Sequence, residues 1–144
     1  MLKTPSVGQV IRYSYLWKEE HLAGREEGLK DRPCVIVVAV DAVGPNITIV
    51  TVVPVTHAPP SDPSIAIEIP HVTKLRLGLD ESPSCIILSE SNQFRWPGPD
   101  VRPIDGRKGT PVYGALPYQF VTRIRSSFIA CMRLKRSTLI PRTE

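Results

Sequence analysis

A chain of 144 residues and 16.0 kDa, 42% of them apolar, has material for one packed domain over residues 1–144 and not for two. With 22% charged residues, a mean hydropathy of −0.05 and no stretch near the ~18 uninterrupted apolar residues of a membrane helix, it is expected to be soluble, globular and without a membrane partner. The net charge of +4 is uneven: from Pro117 onward six basic residues face Glu144 alone, which permits a polyanionic partner and equally describes a solvated basic helix face.

Met1 to Pro5 carries no apolar run behind its positive charge, so no secretory leader is expected and cytoplasm is the default. Cys34, Cys85 and Cys131 each sit in apolar stretches without zinc-ligand spacing, and read as small buried hydrophobes in a reducing compartment. Fifteen prolines, about twice the usual share, favour short strands and turns over a helical bundle.

Taken in chain order, residues 1–6 read as a tail and Val7 to Tyr15 as a first strand. Trp17 to Arg32 is polar, has two glycines and no apolar period, and predicts a long loop. Pro33 to Val43 and Asn46 to Val55 are nearly continuous β-branched runs joined by Gly44-Pro45, which predicts a buried antiparallel hairpin. After a proline-rich loop from His57 to Pro63, Ile65 to Ile69 alternates as a short strand. Pro70 opens a brief helical turn through Lys74 and Leu75 that ends at Gly78. A strand begins at Cys85 and continues toward Phe94, terminated by Trp96-Pro97-Gly98-Pro99. From Pro117 the stripe Phe120, Ile124, Phe128 and Cys131, broadened by Val121 and Met132, predicts an amphipathic helix; residues 137–144 read as a tail. Five or six short strands and one terminal helix predict a mainly β chain with a C-terminal α-helix, folded as a small antiparallel β-barrel.

No phosphate-binding glycine loop, HExxH, GxSxG or cysteine nucleophile setting occurs, and His21, His57 and His71 are far apart, so no cofactor or metal is expected. What remains is a polar pair at two strand ends. In an antiparallel hairpin the start of one strand lies beside the end of the other, so Arg32 and Thr56 become spatial neighbours. A guanidinium with a hydroxyl beside it suits a phosphodiester. The plainer alternative is that Arg32 pairs with a loop carboxylate and Thr56 merely ends a strand.

Several segments together resemble the MazF/PemK family of toxins, the mRNA endoribonucleases of bacterial toxin–antitoxin pairs. They are Gly8-Gln9-Val10-Ile11, Arg32-Pro33-Cys34-Val35-Ile36-Val37, Val53-Pro54-Val55-Thr56, Leu77-Gly78-Leu79, Ser84-Cys85-Ile86-Ile87-Leu88 and the closing Gly114 to Met132. The resemblance covers about residues 8 to 132. Two departures stand out: the Trp17 to Asp31 loop is longer than the family's, and Glu90 to Trp96 aligns ambiguously with the segment after its fifth strand.

The resemblance implies an SH3-like barrel, a homodimer, metal-independent cleavage of single-stranded RNA and inhibition by a cognate antitoxin protein. It puts Arg32 and Thr56 in catalytic roles, with 2′-OH attack leaving a 2′,3′-cyclic phosphate and a 5′-OH end. The candidate bases are Glu26, Glu27 and Asp31, with His57 as base or acid. Arg25, Lys30 and Arg95 are candidate RNA contacts, and Trp17 and Trp96 are candidate stacking platforms or core residues. The rival expectation is a non-catalytic SH3-like binding module or a gyrase-poisoning relative.

Overall fold

The computed structural model describes residues 4–26, 28, 30–41, 47–134 and 137–142. The chain is mainly β with a long helix near its C-terminus, in the order β1 (Gln9–Tyr13), α1 (Lys18–Leu22), β2 (Arg32–Asp41), β3 (Thr48–Thr56), β4 (Ala66–Glu68), α2 (His71–Leu77), β5 (Cys85–Ile87), β6 (Glu90–Arg95), β7 (Val112–Ala115), α3 (Tyr118–Arg133) and β8 (Thr138–Pro141). No helix among the described residues is long and apolar enough to cross a membrane.

The β2–β3 hairpin is the centre of the sheet, as its two apolar runs predict. Their continuity has a physical cause: both faces of the hairpin are covered. Val35, Val37, Val53 and Val55 point into one core with Val10 and with Ile124, Phe128 and Cys131 of α3. Cys34, Ile36, Val50 and Val52 point into a second core with Ile11, Tyr13, Tyr15 and Phe94. Full burial of Ile124 and Phe128 stabilises the α3 docking by about 1.5–3 kcal/mol each. Met132, expected to widen that buried stripe, is exposed instead. All three cysteines are free thiols, Cys34 and Cys131 buried and Cys85 half-buried.

The strand order is β4-β5-β3-β2-β1-β7, with β6 pairing both β3 and β8. All these pairings are antiparallel except β6 with β8, which is parallel. Among the described residues the sheet does not close into the expected barrel: β4 and β7 lie at opposite ends of the order, each only three or four residues long. Short edge strands blunt the pairing capacity of an open sheet.

Other elements also depart from the sequence reading. The strand expected from Cys85 toward Phe94 is two strands on one edge of β3, because Val55 opposes Ile86 whereas Val52 opposes Asn92, a register offset that bends the chain between them. Inside the Trp17 to Arg32 loop lies α1, whose Glu20 side chain accepts from the Trp17 N–H at 3.0 Å and whose first turn is acidic. The C-terminal segment expected as a tail instead supplies β8. The α2 turn ends as expected at Gly78, which takes the left-handed conformation at φ 74°.

Candidate functional site

A cleft of about 610 Å³ opens where β2 begins and β3 ends. The antiparallel register pairs Cys34 with Pro54, so Arg32, two positions earlier, and Thr56, two positions later, flank the end of the ladder. Both line the cleft, together with Trp17, Lys30, Asp31 and His57. The spatial pairing read from the hairpin is therefore present.

Arg32 lies with its guanidinium over the Trp17 ring, 4.7 Å from the centroid, and Trp17 is itself braced edge-on by Tyr15 at 5.1 Å. Its hydrogen bond to the Val55 carbonyl, donated by Nη1, is long at 3.5 Å, and among the described residues its buried Nε has no partner. Among the described residues no carboxylate forms an ion pair with it. The nearest candidate in sequence, Asp31, is drawn to Arg12 instead, at 3.4 Å. Thr56 Oγ1 accepts from the Ala58 N–H at 3.2 Å, which holds the side chain while leaving its own hydrogen to be donated into the cleft. Burial pushes the Cys34 thiol up, against the pull of Arg32 and Arg142, so no thiolate is available beside the site.

The opposite wall is a polar cluster absent from the sequence reading. Lys74 of α2 is 2% exposed and spends all three ammonium hydrogens on Asp80 Oδ1 (2.7 Å), Ser84 Oγ (2.6 Å) and the Ser82 carbonyl. The second Asp80 oxygen meets His57 Nε2 at 2.7 Å. The other ring nitrogen, Nδ1, faces the Pro83 carbonyl at 3.0 Å and Ser84 Oγ at 3.2 Å. Burial alone would raise the Asp80 carboxyl, but the hydrogen bond and charge of Lys74, followed by His57, outweigh it and hold the group below its ordinary value.

Lys74 escaped the sequence reading because α2 inverts the usual pattern: Val72 is 75% exposed and Leu75 is exposed, while the lysine between them is buried. An interior cation is stable only with its hydrogen bonds complete, and these acceptors come from a segment six to ten residues downstream. No amphipathic signal announces such an arrangement.

No family model, curated protein or solved structure matches the chain.

The remaining candidates divide by position. Lys30, Trp17 and Asp31 share the cleft with Arg32 and Thr56. Arg25 does not: it reaches Glu20 at 3.9 Å and lines a separate hollow with Glu26 and Arg142. Arg95 is exposed at the end of β6, opposite Ile49, and does not line the cleft. Trp96 packs on Phe94 at 6.2 Å and joins the second core rather than the cleft. Glu27 lies outside the described residues. No group of three or more His, Cys, Asp or Glu side chains among the described residues could hold a metal ion.

Proposed function

We propose that the chain is a metal-independent endoribonuclease of the MazF/PemK type, an open variant of the SH3-like architecture that acts on single-stranded RNA in the cytoplasm. One observation carries this reading: Arg32 presents a guanidinium with, among the described residues, a buried, unpartnered Nε and no carboxylate to neutralise it, next to a hydroxyl with a proton to donate. The Nε itself is out of solvent's reach; the remaining guanidinium hydrogens of Arg32, which lines the cleft, are the donors an anion with several acceptor oxygens would meet.

In the proposed reaction the substrate 2′-oxygen bonds to the adjacent phosphorus as the bond from phosphorus to the 5′-oxygen breaks. Asp31, the cleft carboxylate adjacent to Arg32, takes the 2′-OH proton, and the departing 5′-oxygen takes one up from water; Asp80, the carboxylate of the opposite wall, is held by Lys74 and His57. Arg32 and Thr56 donate to the non-bridging oxygens, where charge accumulates in the pentavalent state; one such donor is often worth ~3 kcal/mol. Lys30 adds a cation at the rim. His57 plays no part in proton transfer here, because both its ring nitrogens are already bonded to the 80–84 segment. A second copy of the chain and an antitoxin presenting carboxylates to the cleft are the proposed protein partners.

The test is incubation of the purified chain with a long single-stranded RNA in excess EDTA, with mapping of the cut ends. Cyclic phosphate and 5′-OH ends are expected, and RNA lacking the 2′-OH at the scissile position should survive. Cutting of that deoxy-substituted RNA would overturn the mechanism. Intact natural RNA would favour a non-catalytic binding module.

A further inference from the structure

We propose that His57 is a fixed stacking platform for an unpaired base beside the Arg32–Thr56 phosphate position; this rests on reading the cleft as an RNA site. A histidine in such a cleft invites an acid–base role, but the geometry points elsewhere. Hydrogen bonds to an imidazole lie in the ring plane. Both in-plane positions are filled, Nε2 by Asp80 at 2.7 Å and Nδ1 by Ser84 Oγ at 3.2 Å and the Pro83 carbonyl at 3.0 Å. The side chain is nonetheless 56% exposed, so what it offers the cleft is its π face and carbon edge.

The plane of that face is set from inside the protein. Asp80 cannot swing away freely, because its other oxygen is bonded to Lys74, and Lys74 is immobilised by burial and by its bonds to Ser84 and Ser82. The ring is thereby held in one orientation before any ligand arrives, which lowers the ordering cost of binding. Trp17, which also lines the cleft beside Arg32, already has the guanidinium lying on its ring. An RNA strand whose phosphate sits between Arg32 and Thr56 meets an uncovered aromatic face on the His57 side, and sequence-tolerant stacking on such a face is how unpaired bases are held.

The test compares His57→Phe with His57→Leu. Both lose the same hydrogen bonds to Asp80, Ser84 and Pro83, so any structural cost is shared, and they differ in the π face. The probe is a short non-cleavable 2′-fluoro oligoribonucleotide carrying the fluorescent base 2-aminopurine at each position in turn. The wild type should bind it and quench the fluorescence at one position. His57→Leu should lose the quenching and bind roughly tenfold to a hundredfold more weakly, while His57→Phe, which keeps the π face without the bonds that fix it, recovers the quenching and most of the affinity. Equal weakening by the two variants, or full binding and quenching by His57→Leu, would overturn the platform, as would failure of the wild type to bind. The two readings separate cleanly. Binding and quenching without cleavage of natural RNA would leave the platform standing and remove the endonuclease. Cleavage of natural RNA with His57→Leu binding and quenching the probe like the wild type would do the reverse.

Discussion

Among the arginines that lie over aromatic rings, Arg142 and Arg32 are used in opposite ways. Arg142, just after β8, is 2% exposed, with its guanidinium 5.3 Å from the Tyr13 ring. It is also saturated: Nη2 pairs with Asp100 at 2.8 Å, and Nη1 donates to the Ser14 carbonyl, the Tyr13 hydroxyl and Asn92 Oδ1. Arg32 has the closer ring, Trp17 at 4.7 Å, yet among the described residues it makes only one side-chain hydrogen bond, at 3.5 Å the limit of what counts as one, and its Nε is orphaned. The lesson is that aromatic packing and burial alone do not distinguish a structural arginine from a functional one. What distinguishes them is whether the guanidinium hydrogens find acceptors: Arg142 is filled by Asp100 and its neighbours, Arg107 over Tyr113 by the Tyr113 and Leu77 carbonyls, and among the described residues Arg32 is left largely unfilled.

That contrast is easiest to break by truncation. Arg32→Ala should lower RNA cleavage by about a hundredfold to a thousandfold with little change in melting temperature, since nothing buried loses a counter-charge. Arg142→Ala should do the converse. Removing it leaves buried Asp100 with the long contact to Arg102 at 3.7 Å and empties the sites at Ser14, Tyr13 and Asn92, a loss of about 3 kcal/mol in urea unfolding, while molecules that remain folded still cut RNA. A variant pair with these phenotypes exchanged would refute the assignment of roles.

Finer substitutions sharpen the same contrast. Arg32→Lys keeps the charge and loses the planar fork, and cleavage should still fall by about a hundredfold in a single-turnover assay. Thr56→Val keeps the shape and removes one neutral donor; a drop of about tenfold, with the urea midpoint unmoved, is expected.

The smallest effect concerns the wall opposite Arg32. The folded Asp80 carboxyl sits below its ordinary value, so as pH falls the unfolded chain takes up the proton first. Its stabilisation is therefore complete above the ordinary carboxylate value of about 4 and is lost as pH falls from there through the folded value. Because Asp80 is more than half exposed, the effect is modest. Urea midpoints of wild type and Asp80→Asn should differ most at neutral pH and converge in acid; a gap that widens in acid would reverse the sign of this account.

The elements legible in the sequence were those whose signal is local. The β2–β3 hairpin shows itself as two unbroken β-branched runs, and α3 as the Ile124, Phe128 and Cys131 stripe. The meeting of Arg32 with Thr56 follows from antiparallel pairing alone. What stayed hidden depends on distant partners. β8 is a four-residue strand that exists because β6, more than forty residues earlier, offers it an edge. The polar wall depends on Lys74 turning inward toward acceptors that only the folded 80–84 segment supplies. Arg25 and Arg95 look equivalent to Lys30 on charge, and only the chain path separates them from the cleft.

The most direct test of the central claim is a side-by-side single-turnover cleavage assay of one single-stranded RNA by wild type, Arg32→Ala and Arg142→Ala in EDTA, at a temperature where circular dichroism shows all three folded. Cleavage by wild type and Arg142→Ala, with loss confined to Arg32→Ala, is the expected result. Undiminished cleavage by Arg32→Ala would contradict it.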